Sequence, residues 1–358
     1  MTDSRNCRCP SNEKPMTRWL RRIGLMFIGL SVLGVSFGFA FEEIGRRHAN
    51  RDFPPPGEMI DIGGRRISLD CRGTGTPTVI FESGLDIHGS LSWSLVHDEI
   101  ARSTRACAYS RAGIMWSDPR DQPQTTGKMI ANDLHQVLLI AHEPPPYILV
   151  GHSLGGPYIM IYTKYFPSDV AGLVFVDASH PDQFERFDAA QVSPKNRPSL
   201  SFYKAGAALA RIGIVRVVAP VLARSARRRG LLQNQPGQVI DAVLAFAPIS
   251  LGSMLKENEA LDQTLLEAGT FRHLGNRPVF VLTAMAPQSE AELAQFGITP
   301  EEGRRRQEVW KSLHDDQAKW TSHGEHQLIP DAHHYVQFDR PDLVIAAVLS
   351  ILDRVRKK

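Results

Sequence analysis

The 358-residue chain has four cysteines, no internal repeat, no long low-complexity tract and almost no surplus of either charge, with 41 Lys and Arg against 38 Asp and Glu. These absences exclude a repeat architecture and a disordered chain. With 42% hydrophobic residues the chain can bury a substantial core, either as one large α/β domain with insertions or as two smaller domains. A net charge of +3 gives no broad basic field, so no nucleic-acid partner is expected. What excess there is lies around an N-terminal apolar run and in RSARRR, Arg224 to Arg229.

Long uncharged stretches are scarce as well. The run from Ile23 to Phe41 is free of charge for 19 residues, enough to cross a hydrocarbon layer of about 30 Å as a helix. Arg18, Arg21 and Arg22 precede it, and Glu42, Glu43, Arg46 and Arg47 follow. That bias places the N-terminus inside and the remainder outside the cytoplasm. Gly38-Phe39-Ala40 offers small residues for a signal peptidase, so a secreted product is the alternative to a membrane anchor. The chain thus divides into a short cytoplasmic tail (1–22), an anchor or signal segment (23–41) and a linker (42–57). In the tail, Cys7 and Cys9 have no further ligands near them in sequence and read as a reduced pair rather than a metal site.

Beyond the linker, short β-branched runs alternate with helical stretches, the pattern of a mainly parallel sheet covered by helices. Eight strands are expected: EMIDIGG and RRISLDCRG as a hairpin turned at Gly63-Gly64, then PTVIFESG, TRACAYSR, YILVGHS, GLVFVDAS, PVFVLTA and HQLIPDAHH. Between the sixth and seventh, apolar residues recur at helical spacing. A core of residues 58–180 and 276–358 is therefore expected, interrupted by a helical cap at 181–275.

The apolar strand PYILV runs into Gly151-His152-Ser153-Leu154-Gly155 and then into a helical segment. This is G-x-S-x-G in its required strand, turn, helix setting, where the glycines permit a crowded turn that lifts the serine hydroxyl out. GTGTPTVIFESGL, YSRAGIMWSDP, PPYILVGHSLGG and AHHYVQFDRPD accompany it. On these motifs the chain, from about Glu58 to Leu352 apart from the cap, resembles the α/β-hydrolase family, and in particular its exported esterase-like members.

The resemblance implies a Ser-His-acid hydrolase that forms an acyl-enzyme on Ser153, acts on a small acyl substrate and needs no metal or organic cofactor. It implies oxyanion donors at the amides of Leu154 and Leu85, and a base at His334, with His333 where the family usually has glycine. His323 and His326 are set aside as metal partners for these histidines. Many members carry the acid just beyond the seventh strand, but TAMAPQ (283–288) has none. Asp177, at the end of the sixth strand, is assigned instead, with Glu290 as the alternative. A sheet order with strand two beside strand four brings Cys71 near Cys107, as a disulfide or as two buried thiols.

Ser110 and Ile114-Met115 depart from the family's YDRAGYGWS, which unsettles any transfer of substrate preference. Serine as nucleophile disfavours the epoxide-hydrolase and haloalkane-dehalogenase branches, which use aspartate. An acyltransferase or haloperoxidase-like activity on the same triad, or a non-catalytic ligand-binding protein, remain alternatives. In the cap, Arg211, Arg216 and RSARRR interleave with Leu, Val and Ile, which fits either a surface on anionic lipid or a cap helix with a solvated face.

Overall fold

Alternate residues of the strand Tyr147–His152 enter different cores. Tyr147 and Leu149 pack with Tyr162 and Phe175, whereas Ile148 and Val150 pack with Phe81, Val174 and Val348. A strand buried on both faces belongs at the centre of a sheet covered on both sides. In the computed structural model, which describes residues 15–195, 200–228, 232 and 234–357, this is the fifth strand of an eight-stranded sheet. Cys7, Cys9 and Arg229 lie outside the described residues.

The strands are β1 (Glu58–Asp61), β2 (Arg66–Arg72), β3 (Thr78–Glu82), β4 (Ala106–Ser110), β5 (Tyr147–His152), β6 (Val170–Val176), β7 (Gly275–Ala284) and β8 (Thr321–Ile329). Their order is β1-β2-β4-β3-β5-β6-β7-β8; β2 is antiparallel to both its neighbours and every other pair is parallel. Gly63 and Gly64, both with positive φ, turn the β1–β2 hairpin. Cys71 stands opposite Cys107 in the β2–β4 register, and the two form a disulfide that ties the antiparallel edge to the parallel core.

The expected last strand, from His326 to His334, is displaced. The strand begins at Thr321 and ends at Ile329, which puts His333 and His334 in the following loop. Its first half, TSHGE, lies along the sheet edge and is mostly exposed, so its pairing with β7 leaves no apolar signature. His323 and His326 stand within this strand, and His326 bonds Asp315 and Thr283.

Between β6 and β7 the described chain is helical, at Gln183–Ala189, Leu200–Arg211, Ile214–Arg228, Gly237–Glu259 and Leu261–Gly269. Val239, Val243 and Phe246 of the Gly237–Glu259 helix pack on Ile114 and Met115, giving these two departures from the family pattern a packing role beneath the cap. No helix between β7 and β8 is expected from the sequence. Two are present, Glu290–Phe296 and Pro300–Ala318, each opened by a capping box, Ser289 with Glu292 and Thr299 with Glu302.

The N-terminal helix runs from Pro15 to Asp52, well into the segment expected as linker. Glu43 pairs with Arg46 and Arg47 one turn on, which sustains the polar continuation, and the prolines from Pro54 to Pro56 follow its end. Two described helices are long and apolar enough to cross a membrane. Half of the apolar window in Gly237–Glu259 is buried in the protein, against 6% of the window in Trp19–Asp52, so the N-terminal helix is the membrane-span candidate.

Candidate active site

Four adjacent parallel strands, β3, β5, β6 and β7, end on the same side of the sheet, and the loops that leave strand ends build the site. Ser153 follows β5 directly in a left-handed conformation, φ 52°. That strain is held by close packing: a Cβ on Gly84 would lie 2.8 Å from Ser153 Cβ, and one on Gly151 would lie 2.6 Å from the Gly155 carbonyl. Ser153 is partly exposed at the mouth of a cavity of about 340 Å³ whose walls include Phe184, Phe187, Phe296 and Trp310.

Ser153 Oγ is 3.0 Å from His334 Nε2, and His334 Nδ1 is 2.6 Å from Asp177 Oδ2. Asp177 follows β6 with φ 43° and is 3% exposed. Its other oxygen, Oδ1, accepts from the Ala284 amide at 3.0 Å and from Trp310 Nε1 at 2.8 Å. Burial pushes this carboxyl up, but the hydrogen bond and positive charge offered by His334, with help from His314 and Trp310, bring it below the usual aspartate range. The segment without an acid thus contributes a backbone donor to the acid of the neighbouring strand. Glu290 is exposed at the start of its helix, while His333 faces Glu292 at 3.4 Å.

Leu154 is the N-cap of the Gly155–Tyr165 helix, so its amide lies at the positive end of that helix. Leu85 follows Gly84, whose carbonyl accepts from Asp86 N at 2.8 Å and from Arg111 Nη2 at 2.6 Å. Across a trans peptide N–H and C=O point in opposite directions, so the Leu85 N–H is turned away from Arg111.

Arg111 itself is buried, ion-paired to Glu82 at 2.7 Å and to Glu257 of the cap at 2.9 Å, and it also donates to Ser83. Burial and the nearby Glu257 push the Glu82 carboxyl up, opposed by Arg111 and Tyr109, to about 7.

Two contributors were not foreseen from the sequence. Arg111 is visible in YSRAG but gives no hint of its partners. His152, inside the elbow motif, hydrogen-bonds through Nε2 to the His334 carbonyl at 2.9 Å. Burial and the neighbouring His334 push its pKa down to about 3, so it is neutral and its Nε2–H donates, tying the histidine loop to β5. Elsewhere His180, Asp182 and Asp316 converge closely enough to share a cation, but Arg272 already pairs with Asp182 and Arg186 with Asp316.

A sheet of this order, with a serine elbow after β5, a histidine after β8 and an acid after β6, defines an α/β-hydrolase fold. The chain belongs to the alpha/beta hydrolase family, whose model matches residues 63–347. In three dimensions it resembles a thermophilic esterase from Thermogutta terrifontis, with 16% identity, a TM-score of 0.57 and coverage of 83% of this chain and 97% of that one. It also resembles a Pseudomonas aeruginosa protein assigned as an epoxide hydrolase, with 17% identity, a TM-score of 0.60 and coverage of 84% and 96%. An uncharacterized protein of Schizosaccharomyces pombe is 28% identical over 152 residues, 34% of this chain and 28% of that one. The chain spans less than half the length of the curated relatives it matches.

Proposed function

We propose that this protein is a membrane-anchored serine hydrolase of carboxylic esters or related acyl compounds, with Ser153 as nucleophile, His334 as general base and Asp177 as the acid that orients it. The supporting observation is the unbroken hydrogen-bond chain from Ser153 Oγ through His334 to Asp177. Asp177 accepts the Nδ1 proton, so Nε2 is left as the lone pair facing the serine. As Oγ attacks an acyl carbonyl, its proton passes to Nε2, and Asp177 stabilises the imidazolium that results. The Leu154 and Leu85 amides serve the oxyanion, with Arg111 holding the far end of the Leu85 peptide. His334 then protonates the leaving group. In the second half it takes a proton from the water that attacks the acyl carbon, and returns that proton to Ser153 Oγ as the ester bond breaks and the acid leaves.

The aromatic wall of the cavity suits an apolar acyl or alcohol portion. A serine at position 153 does not form the alkyl-enzyme of an aspartate-dependent epoxide hydrolase. Residues 181–275 form the cap over a core of 58–180 and 276–358. The Ile23–Phe41 run is the anchor, and the arginines before it favour an N-terminus in the cytoplasm with the hydrolase outside. The Cys71–Cys107 disulfide suits that compartment.

The test is covalent labelling of the folded chain by an alkyl fluorophosphonate. Labelling is expected in the native protein and is expected to vanish in Ser153→Ala. A native protein that stays unlabelled, or a Ser153→Ala variant that labels equally, refutes the assignment.

A further inference from the structure

The helix Ile214–Arg228 carries its apolar side outward. Ile214, Val217, Val218, Val221 and Leu222 recur at spacings of three and four and are 40 to 62% exposed, and no residue whose burial is described in this helix is buried. Of the eleven exposed large hydrophobic side chains described outside the N-terminal helix, six lie between Leu209 and Leu222. A contiguous apolar face of this kind marks a surface that something covers.

Its place in the fold indicates what covers it. The turn that opens the helix rests on the last residues of the N-terminal apolar run: a Cβ on Gly38 would lie 2.6 Å from the Ile212 carbonyl, and one on Gly213 would lie 2.6 Å from the Phe41 ring. One turn on, Arg216 is paired with Glu42, the first charge after that run, at 2.7 Å and 2.9 Å. The exposed stripe therefore starts where the anchor would leave the hydrocarbon, directly after the turn that rests on Gly38 and Phe41. At its other end stand Arg224, Arg227 and Arg228.

We propose that the Ile214–Arg228 helix is a second membrane contact, laying Val217, Val218, Val221 and Leu222 into the bilayer interface and setting its terminal arginines among anionic headgroups. The cap is then seated on the membrane as well as tethered to it. This goes beyond the hydrolase reading and uses only the anchor from it.

The full chain tests this, with Cys7→Ser and Cys9→Ser so that the disulfide pair alone remains of the native cysteines. A single Val221→Cys is labelled with an environment-sensitive fluorophore and reconstituted into phosphatidylcholine–phosphatidylglycerol vesicles carrying an acyl-chain quencher. Leu33→Cys in the anchor and Leu139→Cys on the core surface serve as references. Quenching at 221 is expected to exceed that at 139 by about twofold or more, and to weaken without phosphatidylglycerol or in Arg224→Gln/Arg227→Gln/Arg228→Gln. Quenching at 33 with none at 221 overturns the proposal and leaves the anchor standing. A blue-shifted but unquenched probe at 221 means the face is covered by protein, a second copy included, and also overturns it. Quenching at 221 without quenching at 33 supports the surface contact and removes the anchor.

Discussion

Replacing Asp177 by Asn tests the triad because the structure dictates how the amide must sit. Two donors, Ala284 N–H and Trp310 Nε1–H, converge on Asp177 Oδ1, so the amide oxygen takes that place and the NH2 group takes the place of Oδ2. That NH2 is a donor facing His334 Nδ1, which must then accept, moving the ring proton to Nε2. A protonated Nε2 cannot take the proton of Ser153 Oγ, now 3.0 Å away. The expected loss in kcat is about 10⁴-fold, or about 5 kcal/mol in the barrier. Stability should change far less, because both bonds to the retained oxygen survive and one charge-assisted bond, worth about 2 kcal/mol, is weakened. The assay is turnover of a chromogenic acyl ester by the native protein, Asp177→Asn and Glu290→Gln, with thermal unfolding of each. Retention of activity within about tenfold by Asp177→Asn refutes the reasoning, and so does an equal loss in Glu290→Gln.

Two further perturbations bear on the scaffold. Glu82 titrates near 4.5 when unfolded and near 7 when folded, so between those values the unfolded chain has shed a proton that the folded chain still holds. Stability should therefore fall as pH rises across that interval, by about 3 kcal/mol at most, and denaturant titrations of Glu82→Gln should show a flatter dependence; equal slopes refute the assignment. The Cys71–Cys107 bond spans 36 residues, so by chain entropy its loss should cost about 4 kcal/mol. Cys71→Ser/Cys107→Ser should unfold at lower denaturant and ignore reductant, and a native protein equally indifferent to reductant refutes the contribution.

The strand set was legible because inner strands of a parallel sheet are continuous apolar runs: ILV in β5 and LVFV in β6 announce themselves. Ser153 was legible because its motif records a backbone constraint, two glycines around a strained residue. The first half of β8 was not, since an exposed edge strand needs no apolar pattern. The helical overrun to Asp52 was hidden by its polar residues, and so was the Pro300–Ala318 helix, which is rich in charged residues and buries few side chains. Asp177 could be nominated from the sequence only through the family resemblance and because β6 ends on the same side of the sheet as β5; its contacts to Trp310 and His334, 133 and 157 residues away, leave no local mark. Arg111 and His152 act through buried partners distant in sequence, and no local motif encodes a partner 146 or 182 residues away.

The double grip of Arg111 makes the cap more than an interchangeable lid. Its Nη2 donates to the Gly84 carbonyl beside Ser153 and, together with Nε, to the Glu257 carboxylate from the inserted helices. Exchanging the insertion wholesale would strand that cation in the interior beside Glu82, whose carboxyl burial already pushes up to about 7. On the proposed hydrolase reading, a redesigned lid that brings no carboxylate to the place of Glu257 disturbs the cap and the Gly84–Leu85 turn together.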